Sequence, residues 1–358
     1  MLIRRILLVF CAALLLVGAL GGVPVAAQQA ASLSGMLSTL PETASSRTLL
    51  WYGAIGDLAQ VLGLQINTLQ DVTNLPNASR LAYLAEIGQQ IYYSSYSGLA
   101  NPTEWQAAYG INSFAIQREL TVGAGNGQYA VLDGAFDAAQ IRNTLTANGY
   151  QQSQIGGVVA FLAGSSGANQ VSGGRFGAVI ASNTRLLVAP RAETLEALAT
   201  AGNPITSNPD YAALAAALDS DQTAPNTRLL CAVLFGADYF ARNMVASASP
   251  GPDGLPGYNV GGIGYRRGSN GRALVIALVY NDVNTANAAG GVLIQRLQNF
   301  VRQSEPDRLA FEGWAFSAQL FNVGGRAVLA VASNYPPEAD LAWISLVQER
   351  DLGFLRIQ

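Results

Sequence analysis

The feature of this sequence that most restricts its fold is an order of strand, turn and helix patterns that occurs twice. An apolar run that breaks into a helical pattern is found at Thr48–Ala54 and again at Leu229–Phe235. A hairpin pattern follows each run, with its turn at Asn126-Gly127 or at Asn270-Gly271. Asn-Gly between two strand patterns is a strong hairpin signal because the tight turn requires positive φ at both positions. Both halves of the chain are therefore predicted to begin with a strand, a helix and a hairpin.

The later elements of the two halves follow one order as well. Each hairpin leads to a capped helix, then to a second hairpin, and then to a helix that proline opens. The helix patterns are Ala138–Asn148, Val283–Arg302, Pro190–Ala201 and Pro336–Glu349, and the second turns are Asn183-Thr184 and Gly324-Gly325. The sequence thus predicts an α+β fold of internally duplicated β-α-β-β-α-β-β-α units, with antiparallel sheets and helices on one face.

The 358 residues divide into three predicted parts. These are a signal peptide at residues 1–27, a first α+β half at residues 28–226 and a second α+β half at residues 227–358. The first half contains a small helical insertion at residues 65–110 and a linker at residues 202–226. The linker holds a short Ala-rich helix pattern at Tyr211–Leu218.

The N-terminal segment predicts export. Met1–Arg5 carries two arginines, Ile6–Leu20 is an uninterrupted apolar stretch, and Val25-Ala26-Ala27 supplies small residues before Gln28. This is the order of a secretory signal peptide, so we expect a secreted or cell-envelope protein. A retained membrane anchor is the alternative, since residues 6–27 are long enough to span a bilayer.

The amino-acid composition excludes most catalytic designs. Histidine is absent and all 20 basic residues are arginine, which removes histidine-dependent triads, Schiff-base lysines, the P-loop lysine and histidine metal sites. We therefore expect no enzymatic activity, with a carboxylate-dependent extracellular hydrolase as the alternative. Its candidate acid pairs are Asp133 with Asp137, Glu338 with Asp340, and Glu305 with Asp307.

Two further motifs resemble ligand sites, and each has a simpler structural reading. Asp219-Ser220-Asp221 has the spacing of a cation site but lies in the linker with no further acid nearby, so a plain acidic loop is favoured. Gly261-Gly262-Ile263-Gly264 lacks the lysine of a phosphate loop and lies in a strand pattern, which favours a bulge or a close backbone approach. No metal or cofactor is predicted.

The charge balance argues against nucleic acid as a partner. Removal of residues 1–27 leaves 18 arginines against 23 acidic residues, whereas nucleic acid requires a clustered basic surface. The densest basic cluster, Arg266-Arg267 with Arg272, is interpreted as a solvated hairpin end. Cys231, the one cysteine outside the signal segment, is predicted to be a core residue.

An aromatic cluster in the insertion is the candidate binding site. Its members are Tyr92, Tyr93, Tyr96, Trp105 and Tyr109, and Ser and Gly lie beside the tyrosines. Rigid aromatic side chains with small polar neighbours are typical of binding surfaces. The partner would be a protein or a carbohydrate, and ordinary packing of the insertion on the sheet is the alternative.

The sequence as a whole favours an exported, non-enzymatic binding or assembly protein of the cell envelope or extracellular space. A membrane contact is expected only through an uncleaved N-terminal segment, and self-association is compatible with the sequence. Besides the hydrolase, a protein that binds a small ligand between its two halves is an alternative, which a deep apolar cleft would indicate.

Overall fold

The central feature of the fold is one antiparallel sheet of twelve strands. The computed structural model describes residues 32–88, 95–123, 127–164, 176–199, 202–239, 254–269, 271–302, 305–336, 347, 349 and 351–357, with backbone alone at 88 and 95–97. The signal segment lies outside these ranges. Within them, no helix combines the length and the hydropathy needed to cross a membrane.

The strands and helices are numbered in chain order. The strands are β1 Leu49–Gly53, β2 Ile116–Val122, β3 Tyr129–Gly134, β4 Tyr150–Ile155, β5 Val158–Ala163, β6 Ala178–Ala181, β7 Arg185–Ala189, β8 Arg228–Gly236, β9 Val260–Arg267, β10 Arg272–Tyr280, β11 Val301–Arg302, β12 Glu305–Leu309, β13 Ser317–Val323 and β14 Arg326–Asn334. The helices are α1 Leu33–Leu37, α2 Ile55–Val61, α3 Leu69–Asn74, α4 Asn77–Gly88, α5 Ser95–Ala100, α6 Pro102–Tyr109, α7 Ala138–Ala147, α8 Ala192–Ala199, α9 Pro209–Asp219 and α10 Val283–Gln298.

Both halves of the chain contribute to the same sheet. The strand order is β13-β14-β10-β9-β8-β1-β2-β3-β7-β6-β5-β4, and β11 pairs with β12 apart from it. The halves meet where β1 pairs antiparallel with β8, in a register that sets Trp51 opposite Val233. We call this pairing of β1 with β8 the seam. Backbone hydrogen bonds therefore join the first half to the second half.

Helices cover both faces of the sheet, so the prediction of helices on one face is wrong. On β10, Leu274, Ile276 and Leu278 lie in the same core cluster as Leu293 of α10. The alternate residues of β10 lie in a second cluster with Leu214 of α9. Since β10 is apolar at nearly every position, both of its faces require apolar cover. The linker helix α9 supplies the cover that the prediction missed.

A strand of small residues brings α9 close to the sheet. A Cβ atom at Gly262 would lie 3.0 Å from Leu218 Cδ1, and one at Gly264 would lie 2.8 Å from Leu229 Cδ1. On the other face, a Cβ atom at Gly261 would lie 2.6 Å from the ring of Phe235. The glycine run is thus an ordinary part of β9 that permits close packing on both faces, as the sequence predicted.

Several predicted turns and helix ends are confirmed. Asp137 caps α7 by accepting a hydrogen bond from the Gln140 N–H at 2.9 Å. Gly324 and Gly325 form the β13–β14 turn with φ values of 58° and 79°. Asn126 and Asn270 lie outside the described residues, as does most of the predicted helix Pro336–Glu349.

The hairpin of β4 and β5 was not predicted. It turns at Gly156 and Gly157, whose φ values of 57° and 81° are in the left-handed region. A Gly-Gly pair between two strand-like runs is a recognised hairpin signal, so the sequence does carry the information. This hairpin extends the first half of the sheet by two strands.

Candidate functional site

A cleft at the seam is the candidate functional site. Its volume is about 580 Å³, and it lies where β1 begins, β8 ends and α9 begins. The first half, the linker and the second half all contribute residues to its wall. We call it the seam cleft, and its lining residues are Arg47, Thr48, Asn208, Asp210, Tyr211, Gly236, Ala237, Asp238, Tyr239, Asn259 and Val260.

The start of α9 forms one wall of the seam cleft. The Asn208 side chain accepts a hydrogen bond from the Asp210 N–H at 3.0 Å, and Pro209 takes the first helical position. Proline suits this position because the first helical N–H groups lack intrahelical partners. The buried Tyr211 donates its hydroxyl to the Arg47 carbonyl oxygen, and burial raises the pKa of Tyr211. That hydroxyl therefore stays protonated and fixes the chain that enters β1.

Gly236 is required for the approach of the two central strands. A Cβ atom there would lie 2.8 Å from the Arg47 carbonyl oxygen, which is closer than such atoms approach. The Gly236 N–H also donates to the Thr48 carbonyl oxygen at 3.2 Å. The absence of a side chain at Gly236 keeps this end of the seam narrow.

A polar network surrounds Asp210. Its carboxylate accepts hydrogen bonds from Arg326 Nε at 2.5 Å and from Asn259 Nδ2 at 3.2 Å. Asn259 Nδ2 also donates to Asn281 Oδ1 at 2.9 Å. These residues come from the linker helix, from the approach to β9, from the end of β10 and from β14. The network fixes the carboxylate and amide oxygens on the cleft wall.

Arg47 supplies the exposed cation of the seam cleft. Its side chain is 58% exposed, and its Nε lies 3.9 Å from Glu42 Oε1. A surface pair at this distance restricts the guanidinium little. The cleft thus combines a cation that can reorient with fixed oxygen acceptors and with the partly buried ring of Tyr239. The seam cleft is therefore not the apolar cleft that the sequence analysis named as the sign of a small-ligand protein. Its polar groups can instead hold a polar molecule by hydrogen bonds.

Two residues of the predicted aromatic site are core residues, which corrects their assignment to a binding surface. Trp105 is 1% exposed and Tyr109 is 0% exposed. Their ring centroids lie 5.8 Å apart, and Trp105 also contacts Phe176 at 5.2 Å. Both rings lie in one core cluster with Ile141 of α7 and Leu132 of β3. Burial there removes large apolar surfaces from water.

The tyrosines of that predicted site are not located by the structure. Tyr92 and Tyr93 lie outside the described residues, and Tyr96 is described only as backbone within α5. Their role in binding therefore stays a prediction.

Three of the candidate acids for hydrolysis have structural partners. Asp133 accepts two hydrogen bonds from Arg185, at 2.5 and 2.7 Å, and Asp137 is the cap of α7. Glu305 lies 3.2 Å from Arg302, on the small β11–β12 hairpin. The remaining three acids are Asp307, which is exposed on β12, and Glu338 and Asp340, which lie outside the described residues.

The Asp219-Ser220-Asp221 motif holds segments of the chain together. Asp219 accepts hydrogen bonds from the N–H groups of Leu33 and Ser34 at 3.2 and 2.9 Å, and so provides acceptors for the first two N–H groups of the short helix α1. Asp221 accepts from Arg266 Nη2 at 3.0 Å. Among the described residues, no group of three acidic or cysteine side chains could hold a metal ion.

The basic cluster lies at the end of the β9–β10 hairpin, but its interpretation as solvated is wrong for Arg266. Arg266 is 1% exposed, and its guanidinium donates to Leu218 O, Thr227 O, Thr227 Oγ1 and Asp221. It crosses from β9 to the linker and satisfies carbonyl groups there, which offsets the cost of burying its charge. Cys231, by contrast, is buried in the core, as predicted.

The seam cleft itself was missed by the sequence reasoning. The helix start at Asn208-Pro209-Asp210 is visible in the sequence, but nothing there pairs it with Arg47 or Asn259. A second missed feature is Glu86 of the insertion, a buried residue that contacts Tyr265 and Arg267 of β9. Both depend on contacts between distant parts of the chain.

Comparison with known proteins gives little beyond the structure. No family model matches the chain, and no curated protein matches it at a significant level. Crystal form I of TP0453 is 10% identical, with 89% of this chain and 97% of that chain covered and a TM-score of 0.38. Crystal form III of TP0453 is 9% identical, with 88% and 97% covered and a TM-score of 0.37. These likenesses are too weak to assign a fold or a function.

Proposed function

We propose that this chain is an exported, non-enzymatic binding protein that holds a small polar ligand in the seam cleft. The observation that carries the proposal is the cleft itself, about 580 Å³ in volume and set between the two halves and the linker. Ligand pockets of this size commonly lie at such junctions. The predicted signal peptide supports export to the envelope or the extracellular space.

The lining favours a neutral, hydroxyl-rich ligand such as a saccharide. Asn208, Asn259 and Asp210 offer amide and carboxylate oxygens, and Arg47 offers donors. Amides, carboxylates and guanidinium groups together match hydroxyl groups, which both donate and accept hydrogen bonds. Tyr239 adds an aromatic surface for the apolar side of a sugar ring. A strongly anionic ligand fits less well, because Asp210 and Asp238 both line the cleft.

The rival hydrolase is less well supported by the described residues. Asp133 is held by Arg185, Asp137 caps a helix, and Asp210 of the seam cleft is held by Arg326. Carboxylate catalysis needs two acids that are free to exchange protons across one cleft. These contacts favour the non-enzymatic proposal over the hydrolase. The proposal agrees with a sequence that has neither histidine nor lysine.

A binding role for the insertion remains part of the proposal. Tyr92, Tyr93 and Tyr96 would contact a protein or a carbohydrate, without Trp105 and Tyr109, which are buried. Replacing the three tyrosines by Ser should weaken association several-fold while the unfolding transition moves little. Unfolding at a much lower temperature in this variant would mean that the three residues are core.

We further propose that the two halves are structural copies. Outward from the seam, the strand order is β1-β2-β3-β7-β6 on one side and β8-β9-β10-β14-β13 on the other. In both halves an aspartate caps the helix after the first hairpin, Asp137 for α7 and Asp282 for α10. An experimental structure with another outward strand order in either half would contradict the duplication.

Ligand binding can be tested by calorimetry with two matched arginine variants. Arg47→Ala removes the exposed cation of the cleft, and Arg308→Ala removes an exposed arginine on β12 whose Nε also lies 3.9 Å from a glutamate. We expect the mature chain to bind one or more members of a panel of neutral mono- and disaccharides. Arg47→Ala should weaken that binding about tenfold and Arg308→Ala should not change it. Equal affinities for both variants, or no binding to the panel, would overturn the saccharide proposal.

Export is tested separately. N-terminal sequencing of the protein from its native cells should find Gln28 as the first residue. A full-length chain held in the membrane fraction would show that the segment is a retained anchor.

A further inference from the structure

We infer that the outer edge of β13 pairs with β13 of a second copy of this chain. Among the strands that the structure describes, β13 is the last on its side of the sheet, with β14 as its neighbour. An edge strand presents unpaired N–H and C=O groups, which can bind another strand. The inference rests on the strand order and on β13, and does not depend on the seam cleft.

The turn next to β13 determines which backbone groups face outward. Gly324 and Gly325 form a two-residue turn with positive φ at both positions, and Val323 pairs with Arg326 beside it. In such a hairpin the residues next to the turn form a hydrogen-bonded pair, and every second residue then points its N–H and C=O away from the partner. The outward groups of β13 therefore belong to Ala318, Leu320 and Asn322.

β13 lacks the features that protect most edge strands. Proteins commonly use charged side chains, proline or a bulge to prevent pairing between edges. The sequence of β13 is Ser-Ala-Gln-Leu-Phe-Asn-Val, without charge or proline. Its register with β14 runs without a bulge from Ser317 to Val323. Leu320, at the middle of the strand, is 40% exposed.

The first half of the sheet shows which kind of strand can pair with an edge at this position. Counted outward from the seam, β13 is the fifth strand of the second half, and β6 is the fifth strand of the first half. The outer edge of β6 is occupied by β5, which pairs antiparallel with Phe161 opposite Val179. The second half has no strand at that place in the described sheet. An antiparallel strand is thus the expected occupant of β13.

A second copy of this chain can supply the antiparallel strand beside β13 most directly. At the seam, the edge strand of one half pairs antiparallel with the edge strand of the other, and Trp51 and Val233 lie at the middle of the pairing. Two copies of β13 related by a two-fold axis would pair in the same way, with Leu320 opposite Leu320. Such an interface is closed, because each copy uses the same surface.

The other edge of the sheet is a poorer partner for β13. β4 exposes Gln151, Gln152 and Gln154 and has no exposed apolar residue to match Leu320 of β13. Pairing of β13 with β4 would join copies head to tail and produce open chains that grow with concentration. Pairing of β13 with itself predicts a dimer and no larger species.

The test measures association of the mature chain by sedimentation velocity over a range of concentrations. We expect a monomer–dimer equilibrium. Leu320→Arg places two like charges opposite each other at the two-fold axis, so the dissociation constant should rise at least about tenfold. Leu309→Arg is the control, because Leu309 of β12 is also 40% exposed but lies outside the large sheet. A monomer at all concentrations, open-ended growth, or equal effects of the two variants would overturn the inference.

A cysteine variant keeps the inference testable if Leu320→Arg fails to fold. A hydrogen-bonded antiparallel pair has Cα atoms about 5.5 Å apart, which a disulfide can bridge. Leu320→Cys should therefore form a cross-linked dimer under mild oxidation, whereas Leu309→Cys should not. Cys231 is buried and adds no background. Failure of Leu320→Cys to cross-link, or equal cross-linking at Leu309→Cys, would contradict the proposed pairing.

Discussion

Glu86 of the insertion accepts a hydrogen bond from the hydroxyl of Tyr265 on β9, with an oxygen–oxygen distance of 2.9 Å. The other carboxylate oxygen of Glu86 lies 2.8 Å from Arg267 Nη1, and the Glu86 side chain is 8% exposed. The contact joins helix α4, in the first half of the sequence, to the second half of the sheet. The insertion is therefore part of the folded core at this point.

Removing the carboxylate of Glu86 should destabilise the whole protein. In Glu86→Ala, the Tyr265 hydroxyl and the Arg267 guanidinium lose their buried acceptor, so the free energy of unfolding should fall by about 2–4 kcal/mol. Glu86→Gln keeps an oxygen acceptor for Tyr265, so its free energy of unfolding should fall clearly less. Urea unfolding of both variants checks this, and equal losses would mean that packing of the side chain matters more than its hydrogen bonds.

Stability should be nearly constant around neutral pH and should fall in alkali. The chain has no histidine and no lysine, so few groups change charge between about pH 6 and about pH 9. Burial raises the pKa of Tyr83 to about 12. Burial also raises the pKa of Tyr52, Tyr129, Tyr211, Tyr258, Tyr265, Tyr280 and Tyr335 above the usual value.

The sign of the alkaline effect follows from proton binding. Below about pH 10, the tyrosines are neutral in the folded and the unfolded chain alike. Above that pH, the unfolded chain releases protons that the folded chain retains, so unfolding becomes more favourable by about 1.4 kcal/mol per pH unit for each buried tyrosine. Urea titrations at several pH values, with tyrosinate absorbance as a second signal, measure this. Stability that changes steeply between about pH 6 and about pH 9, or that does not fall above about pH 10, would contradict it.

The glycines of β9 should be less tolerant of alanine than a glycine on a helix surface. In Gly264→Ala, the new methyl group would lie 2.8 Å from Leu229 and 3.2 Å from Leu218, so we expect a loss of about 1–3 kcal/mol. Gly291→Ala is the control on α10, where a Cβ atom meets nothing within 4 Å. It should stabilise by up to about 1 kcal/mol because alanine favours helix. Thermal unfolding measures both effects. If the unfolding temperatures of the two variants change in the same direction, close packing at β9 is contradicted.

The buried guanidinium of Arg266 should matter more for stability than an exposed one. Arg266→Met keeps the apolar stem but leaves the carbonyl groups of Leu218 and Thr227 without this donor. We expect a loss of about 3 kcal/mol or more. Arg308→Met, at a side chain that is 71% exposed, should change stability by less than about 0.5 kcal/mol. Similar unfolding midpoints for the two variants would show that the buried arginine contributes little.

Local sequence signals predicted the parts of this fold that depend on a few neighbouring residues. Gly324-Gly325 adopts the positive φ values of a tight turn, and Asp137 caps the helix that follows β3. Both can be read from sequence because the hydrogen bonds involved span only a few residues. The Gly156-Gly157 turn carried the same kind of signal and could have been predicted.

The pairing of β1 with β8 and the position of α9 were decided by tertiary structure. Periodicity shows that a strand has two apolar faces, but it does not say which helix covers each face. The same limit applies to Trp105, since an aromatic residue in an insertion can lie on the surface or pack inward, and only the contact with Phe176 distinguishes the two.

By itself, the sequence determined many of the local elements, some of their turns and caps, and the absence of histidine and lysine side chains. The tertiary structure decided that both halves share one sheet, that Arg266 is buried, and that Arg47, Asp210 and Asn259 line one cleft. The reason is physical: local conformation depends on the bonding of near neighbours, whereas burial and cleft geometry depend on residues more than a hundred positions apart.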